Sequence, residues 1–458
     1  MSIYPAKQHL AATAAQLGAD AGVILVFGGS TLVHPDSDTE YEFHQDSNFF
    51  YLSGVNEPGF AAAYDVASRT AILFARHVSA DEAVWIGEQP SLRELCATYG
   101  FDAAHPVAEI SAVISGLRPA AVYTLPESAE RVAALGSGSW VLPEAALLRA
   151  AVHEARVFKD DAEIAIMRRA NQISSAAHEA LMRSARAGDA EAALRGRFVG
   201  LTLARGAQYE AYGSIVAGGR SAAVLHYTRN GGALADGDVV LVDAGATCGG
   251  YASDITRTWP VGARFGAEAR AIYGVVLDMQ RAVLAACAPG RLWEDMHALA
   301  CAEAARGLLR LGLLRGAADS IAANHVVGFF MPHGIGHLIG IDTHDVGGYP
   351  PGTPRIDAPG LRYLRARREM RARMAFTVEP GLYFVDAVLA QARATPAVAQ
   401  HIDFDVVARY RGVGGVRIED NIVITESGHE NLTTCPKEIE AIEALRAEAY
   451  ASEATTVA

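Results

Sequence analysis

The sequence predicts an α/β domain followed by an α+β domain. Up to about residue 155, short apolar runs alternate with helical patterns, as in a sheet covered by helices. Beyond that point long helical stretches and strand-like segments no longer alternate strictly, which points to an antiparallel sheet covered by helices. The chain has 458 residues, 51% hydrophobic and 20% charged, enough for two or three packed domains.

Residues 21–28, 70–75 and 121–125 are apolar runs bounded by Gly, Pro or polar residues and read as buried strands. Lys7 to Leu17 and Ser91 to Tyr99 carry helical patterns. The texture changes after Arg156, so the expected domains are 1–157 and 158–458. Apolar and small residues then recur at helical spacing from Asp161 to about Arg186 (Ile164, Met167, Ala170, Ile173, Ala177, Leu181), with Asp160 or Asp161 as N-cap and Gly188 past the end. Further helices are expected over 190–205, 266–288, 292–314 and 437–450. Strands are expected over 238–243, 250–259, 375–384 and 415–425. Residues 452–458 are small and polar and read as a frayed end.

Lys plus Arg is 39 against 52 for Asp plus Glu, a formal net charge of -13. A nucleic-acid or anionic-membrane partner wants the opposite balance, so neither is expected. No apolar run approaches the roughly 20 residues of a membrane span. The N-terminus lacks a basic stretch followed by an apolar core, so a cytoplasmic protein is expected. Five scattered cysteines with no CxxC pair fit neither a disulfide framework nor a thiolate zinc site.

Two acids mark the first chemical motif. Asp243 ends the apolar run Val239-Val-Leu-Val-Asp243, and Asp254 lies in Tyr251-Ala-Ser-Asp-Ile-Thr, with a Gly-rich turn between them. If the chain folds back near Cys248 and Gly249, the two carboxylates lie opposite each other in a hairpin and repel unless a proton or cation sits between them. The second motif is Met331-Pro-His333-Gly-Ile-Gly-His337, followed by His344. The His-x3-His spacing superficially matches a helical zinc site, but Pro332, Gly334 and Gly336 make a helix improbable and no Glu follows His333. Glu379 (Thr377-Val-Glu-Pro-Gly) and Glu419 (Gly415-Val-Arg-Ile-Glu) are acids in apolar, β-prone sequence, where a carboxylate is costly unless paired or metal-bound. Four carboxylates and one imidazole can hold two divalent ions, and an oxygen-rich set suits Mn better than structural Zn. Such a pair activates water and polarises a carbonyl, which is hydrolytic chemistry.

These motifs resemble the pita-bread metallopeptidases, the family of methionine aminopeptidase, aminopeptidase P and prolidase. Residues 205–440 are similar to the prolidase (Xaa-Pro dipeptidase) branch through Ala223-Val-Leu-His-Tyr, His344-Asp-Val-Gly-Gly-Tyr-Pro, Arg355-Ile-Asp-Ala-Pro-Gly-Leu-Arg and the acid and histidine motifs above. Residues 40–58 resemble the N-terminal domain shared by aminopeptidase P and prolidase. The resemblance implies an α/β N-terminal domain of the creatinase/aminopeptidase P type and a pita-bread catalytic domain with a curved, mainly antiparallel sheet. It implies two Mn2+ per subunit, with Co2+ or Zn2+ as alternatives. Asp243 would chelate one ion, Asp254 and Glu419 would bridge, and His337 and Glu379 would hold the second. Glu379 would also shuttle the proton. His226, His333 and His344 would line the substrate site, with His333 and His344 acting in catalysis. Arg417 would support the metal shell and Tyr212 would stand near it. Ser221, where the family usually has Asn, and Trp259, where Phe is common, depart from the pattern without touching an expected ligand.

An Xaa-Pro bond has no N–H to donate, and its ring fixes φ, so a site must close around the ring and the chain ends. Prolidase-like members carry an insert, here 350–373, that is rich in arginine. Arg365 matches the position that reads the dipeptide's C-terminal carboxylate, for which a guanidinium fork is suited. Most of the insert's arginines are expected to be solvated. The implied substrate is an Xaa-Pro dipeptide and the implied assembly a homodimer, the N-terminal domain of one subunit near the other's active-site mouth. The alternatives are an aminopeptidase P acting on longer peptides and a ligand-binding relative without activity.

Overall fold

The computed structural model describes residues 4–136 and 138–456, with side chains of 452–456 outside the description. Contacts divide the chain into two units, Met1–Phe158 and Lys159–Ala458.

In the first unit five strands are ordered β4-β3-β2-β1-β5: β1 (Val23–Phe27), β2 (Ala61–Asp65), β3 (Thr70–Ala75), β4 (Ala103–Pro106) and β5 (Val122–Tyr123). β1, β2 and β3 pair antiparallel, while β4 and β5 join in parallel. Every residue of β1 is buried, so both faces of the central sheet are covered. One face packs large apolar side chains, among them Leu25, Ile72 and Phe74, against Ile110 and Ile114. The strand β2, Ala-Ala-Ala-Tyr-Asp, is not expected from sequence, because alanine has low β propensity. Its small side chains instead leave room for the helices. Helix Leu92–Tyr99 starts where expected, on a capping box of Ser91 and Glu94.

The second unit is built on short antiparallel strands: β6 (Tyr209–Glu210), β7 (Ile215–Gly218), β8 (Val239–Asp243), β9 (Ala246–Cys248), β10 (Tyr251–Ala252), β11 (Thr256–Pro260), β12 (Ala375–Val378), β13 (Gly381–Tyr383), β14 (Gly415–Arg417), β15 (Asp420–Ile424) and β16 (His429–Asn431). They form the sets β10-β9-β6, β11-β8-β7, β12-β15-β16 and β13-β14, tied by the bridges Thr256↔Glu419 and Leu338↔Phe376. Helices Asp161–Ser184, Glu191–Leu203, Ala267–Ala286, Trp293–Arg310 and Ile439–Thr456 accompany them. Asp160 caps the first of these with a capping box to Glu163. The last helix runs to Thr456, through part of the segment expected to fray, and 457–458 lie outside the described residues. No helix of the described residues is long and apolar enough to cross a membrane.

Three expected strands are each broken at an acid. The ladder lapses at 253–255 around Asp254, at Glu379-Pro380, and at Ile418 beside Glu419, which pairs with Thr256 instead. Pro380 has no N–H for a ladder. At Asp254 the side chain of Asn421 replaces the partner strand: its Oδ1 accepts from Asp254 N at 2.9 Å and its Nδ2 donates to Asp254 O. The turn at Gly249-Gly250 folds β9 onto β10 as expected, but the register puts Thr256, not Asp254, opposite Asp243. The two aspartates are diagonal neighbours on one face, which still brings their side chains together.

Candidate active site

Asp243, Asp254, His337, Glu379 and Glu419 converge on one cavity of about 370 Å³. Asp243 sits at the end of β8, Asp254 in the break before β11, Glu379 just past β12 and Glu419 between β14 and β15. His337 lies in irregular chain, its main chain held by Thr377: His337 N donates to Thr377 Oγ1 at 3.1 Å and His337 O accepts from Thr377 N at 2.9 Å. Gly336 permits this approach, since a Cβ there would stand 2.1 Å from Thr377 O.

One oxygen from each of Asp243, Asp254 and Glu419 falls within 4.8 Å of the others, and the same holds for ligand atoms of His337, Glu379 and Glu419. Asp254, His337 and His344 make a third such group. His337 Nε2 stands 3.4 Å from Asp254 Oδ2 and 3.6 Å from Glu379 Oε1. Its Nδ1 donates to Leu338 O at 3.0 Å, which leaves Nε2 to face the acids.

Four carboxylates face one buried guanidinium, Arg417, which donates to Asp243 Oδ2 at 2.5 Å, to Tyr383 Oη at 2.8 Å and to Thr256 Oγ1 at 3.0 Å. Burial pushes the Asp243 carboxyl up to about 6 and the Glu379 carboxyl up to about 7. Burial, then Asp254 and Glu379, drive Glu419 well above the carboxylate range. Asp254 goes the other way: burial raises it, but the His337 hydrogen bond and charge hold it low. The Tyr212 hydroxyl has one proton and lies 2.6 Å from Asp243 Oδ1 and 2.5 Å from Asp254 Oδ1, so it serves only one of them. This surplus of buried negative charge, with oxygen and imidazole donors in two overlapping groups, fits a pair of divalent cations.

The metal-free protein therefore has a pH signature. The raised carboxyls hold protons that the unfolded chain releases near pH 4, so their contribution is present below about pH 4 and lost as pH rises through about 6 to 7. Buried neutral histidines such as His333 and His344 act in the opposite sense, so the carboxyl effect is read by difference: in chelator, raising the pH from 5.5 to 8 should favour the Tm of Glu379→Gln relative to that of the parent. A change in Tm over that range identical in parent and variant would contradict the charge surplus.

The histidines differ from one another. His333 has both ring nitrogens engaged, Nδ1 with Gly334 O at 2.8 Å and Nε2 with Tyr383 Oη at 3.0 Å. Burial, with Arg417 nearby, lowers it to about 3, so it is neutral. His226 and His344 line the cavity, and their rings form no hydrogen bond among the described residues. His344 stands edge-on to His337, ring centroids 4.5 Å apart. Arg365 also lines the cavity, and its guanidinium donates no hydrogen bond among the described residues. Tyr212 does not line it but stands behind the two aspartates. Most of the other insert arginines are exposed, as expected, but several are also engaged: Arg367 pairs with Glu294, Arg368 donates to Gly347 O, Arg373 pairs with Asp161, and Arg355 packs on the Tyr349 ring.

Sequence reasoning missed Tyr383, which joins His333 to Arg417. Gly381 stands two residues before it on the same face, where a Cβ would be 2.4 Å from the Tyr383 hydroxyl. Thr256, which donates to Glu419 Oε2 at 2.7 Å, and Asn421 were also missed, and nothing in their local sequence marks them.

A buried set of acids and imidazole on antiparallel strands, able to hold two divalent cations, fits the class of metal-dependent hydrolases. The chain belongs to metallopeptidase family M24, whose profile matches residues 165–426, and residues 6–123 match the aminopeptidase P N-terminal domain. It is 39% identical to the probable Xaa-Pro aminopeptidase PEPP of Paracoccidioides brasiliensis (strain Pb03), over 97% of both chains. It is also 39% identical to the Xaa-Pro dipeptidase of Homo sapiens, over 93% of this chain and 89% of that one. Among solved structures, Pseudomonas aeruginosa aminopeptidase PepP aligns with a TM-score of 0.82 at 32% identity, covering 98% of this chain and 100% of the other. Zn-substituted E. coli aminopeptidase P in complex with product aligns with the same score at 31% identity, covering 98% and 99%. The family implies a dinuclear metal site.

Proposed function

We propose that this chain is an Xaa-Pro dipeptidase that releases proline from dipeptides with a free C-terminal carboxylate. The observation that carries this reading is Arg365, a guanidinium without a hydrogen-bonding partner among the described residues, at a cavity of about 370 Å³ that also holds the five metal-type donors. Asp243, Asp254, His337, Glu379 and Glu419 would hold two Mn2+, with Glu419 and Asp254 as the shared donors: Glu419 belongs both to the group with Asp243 and Asp254 and to the group with His337 and Glu379, and Asp254 Oδ2 stands 3.4 Å from His337 Nε2. When bound, the ions supply Lewis acidity toward water and the scissile carbonyl.

The chain's own groups do the rest. Glu379 accepts a proton from the attacking water on a carboxylate oxygen and passes it to the proline nitrogen. That nitrogen needs the proton because a tertiary amide leaves only as a secondary amine. His344 and His226 present unengaged ring edges to the scissile carbonyl and the substrate's ends. Neutral His333, pinned by Tyr383, forms a wall for the proline ring. Arg417 holds Asp243 in place, and Tyr212 donates to either Asp243 or Asp254. Arg365 reads the carboxylate through a bidentate fork. Ala-Pro should be turned over by Mn-loaded protein, and Ala-Pro amide, which lacks the anion, should be a poor substrate. Equal turnover of acid and amide would remove Arg365 from recognition.

The second reading, an aminopeptidase P, is favoured by the names of several relatives and by the aligned structures. It requires that a chain continue past proline where Arg365 stands. We also propose a homodimer. Helix Ala80–Ile86 buries none of its residues, and Val84, Trp85 and Ile86 are 77%, 85% and 55% exposed, an apolar segment that association would cover. Light scattering should give about twice the 48.4 kDa chain mass, and Trp85→Glu should lower it. A parent mass of one chain would refute the dimer.

A further inference from the structure

The catalytic unit contains a buried ion pair that the hydrolytic scheme does not use. Lys159 Nζ lies 3.0 Å from Asp345 Oδ2, and each side chain is 1% exposed. Burying such a pair gains little stability by itself, because the desolvation cost rivals the attraction. Its placement gives it another role. Asp345 directly follows His344, and its Oδ1 accepts from Val346 N at 3.0 Å. Asp345 N donates to Leu338 O at 2.9 Å, and Leu338 directly follows His337. Asp345 thus closes a loop that begins at one site histidine and ends at another.

The loop is shaped around the pair. At Gly340 a Cβ would stand 2.2 Å from Asp345 Oδ2 and 3.0 Å from Lys159 Cε, so only glycine leaves the pair its space. Gly340 O accepts from Ala252 N at 2.8 Å, two residues before Asp254. Lys159 is itself fixed: its N donates to Arg373 O at 2.8 Å, its O accepts from Arg373 Nη1 at 3.2 Å, and Asp160 caps the helix that follows. His344 has no hydrogen bond of its own among the described residues, so backbone anchoring decides where its ring stands.

We propose that Lys159, through Asp345, is a positioning residue that sets where the His344 ring stands over the cavity. This rests on the reading that His344 meets the substrate. Misplacing such a group by about 1 Å costs on the order of a hundredfold in rate.

The test separates positioning from folding. In Lys159→Met/Asp345→Leu the pair becomes two apolar side chains, a replacement that is often neutral or stabilising. Lys159→Met alone, which removes the cation beside the Asp345 carboxylate, is the second variant. With full Mn content, the double variant should lose roughly ten- to hundredfold in kcat on Ala-Pro, with KM within about twofold and Tm near the parent's. The loss should vanish in a His344→Ala background, which has no ring left to misplace. In metal-free protein the His344 ring resonance should shift in both variants. Parent-like kcat and an unmoved resonance in the folded double variant would overturn the proposal, as would losses that multiply independently with His344→Ala. A parent that does not turn over Ala-Pro refutes the proposed substrate instead, and the ring resonance then decides the positioning alone.

Discussion

Glu419→Gln is expected to fold and to lose nearly all activity, on the order of a thousandfold or more, because the two-ion site loses its central shared donor. Glu419 belongs both to the group with Asp243 and Asp254 and to the group with His337 and Glu379. Its Oε2 already accepts from Thr256 and its backbone N donates to Thr256 O at 3.0 Å, so a glutamine is held in the same place. The change therefore removes charge and little else. Metal analysis after chelation and Mn2+ addition should find the parent refilled and active, and the variant depleted. The Tm gain on adding Mn2+ at pH 8 should shrink with it. A variant that binds Mn2+ like the parent and keeps most of its activity would contradict a shared-donor role.

Arg365→Ala is expected to cost roughly ten- to hundredfold in kcat/KM on Ala-Pro, the loss of a charge-assisted bidentate pair. Most of it should appear in KM, because the carboxylate is held alike in ground and transition state. Arg365→Lys should recover only part, since an ammonium cannot reproduce the fork. The insert makes this variant clean. Its neighbours Arg367, Arg368 and Arg373 fasten the loop to the fold, whereas Arg365 donates no hydrogen bond among the described residues. Kinetics on Ala-Pro and Ala-Pro amide decide the case: the amide should respond little. Equal losses on both would assign Arg365 to structure.

Much of this was legible in the sequence for a physical reason. Carboxylates in apolar, β-prone chain are costly, so Asp243, Asp254, Glu379 and Glu419 announce themselves, and the structure brings all four together with His337. Helices were legible through periodicity and caps, as at Asp160 and Ser91. Strand continuity was not. Periodicity cannot show that the ladder stops at Asp254, Glu379 and Glu419, since the interruptions depend on Pro380 and on distant partners such as Asn421 and Thr256. Strand β2 was hidden because its alanines serve packing rather than propensity. The arginine insert is mostly exposed, as its charge density suggests, but the sequence does not show that some of its arginines also bond the loop to the fold. The supporting polar groups, Tyr383, Thr256 and Asn421, are side chains that only the tertiary fold brings beside the acids.

The measurement that bears most directly on the account is kcat/KM of Mn-loaded protein on Ala-Pro and on Ala-Pro-Ala, compared under one condition. A dipeptidase with Arg365 reading the terminal carboxylate should prefer the dipeptide by roughly tenfold or more, since the tripeptide moves its anion one residue away and leaves the guanidinium facing an amide. Tripeptide turnover equal to or faster than that of the dipeptide would contradict the account and make the chain an aminopeptidase that tolerates Arg365 at its exit.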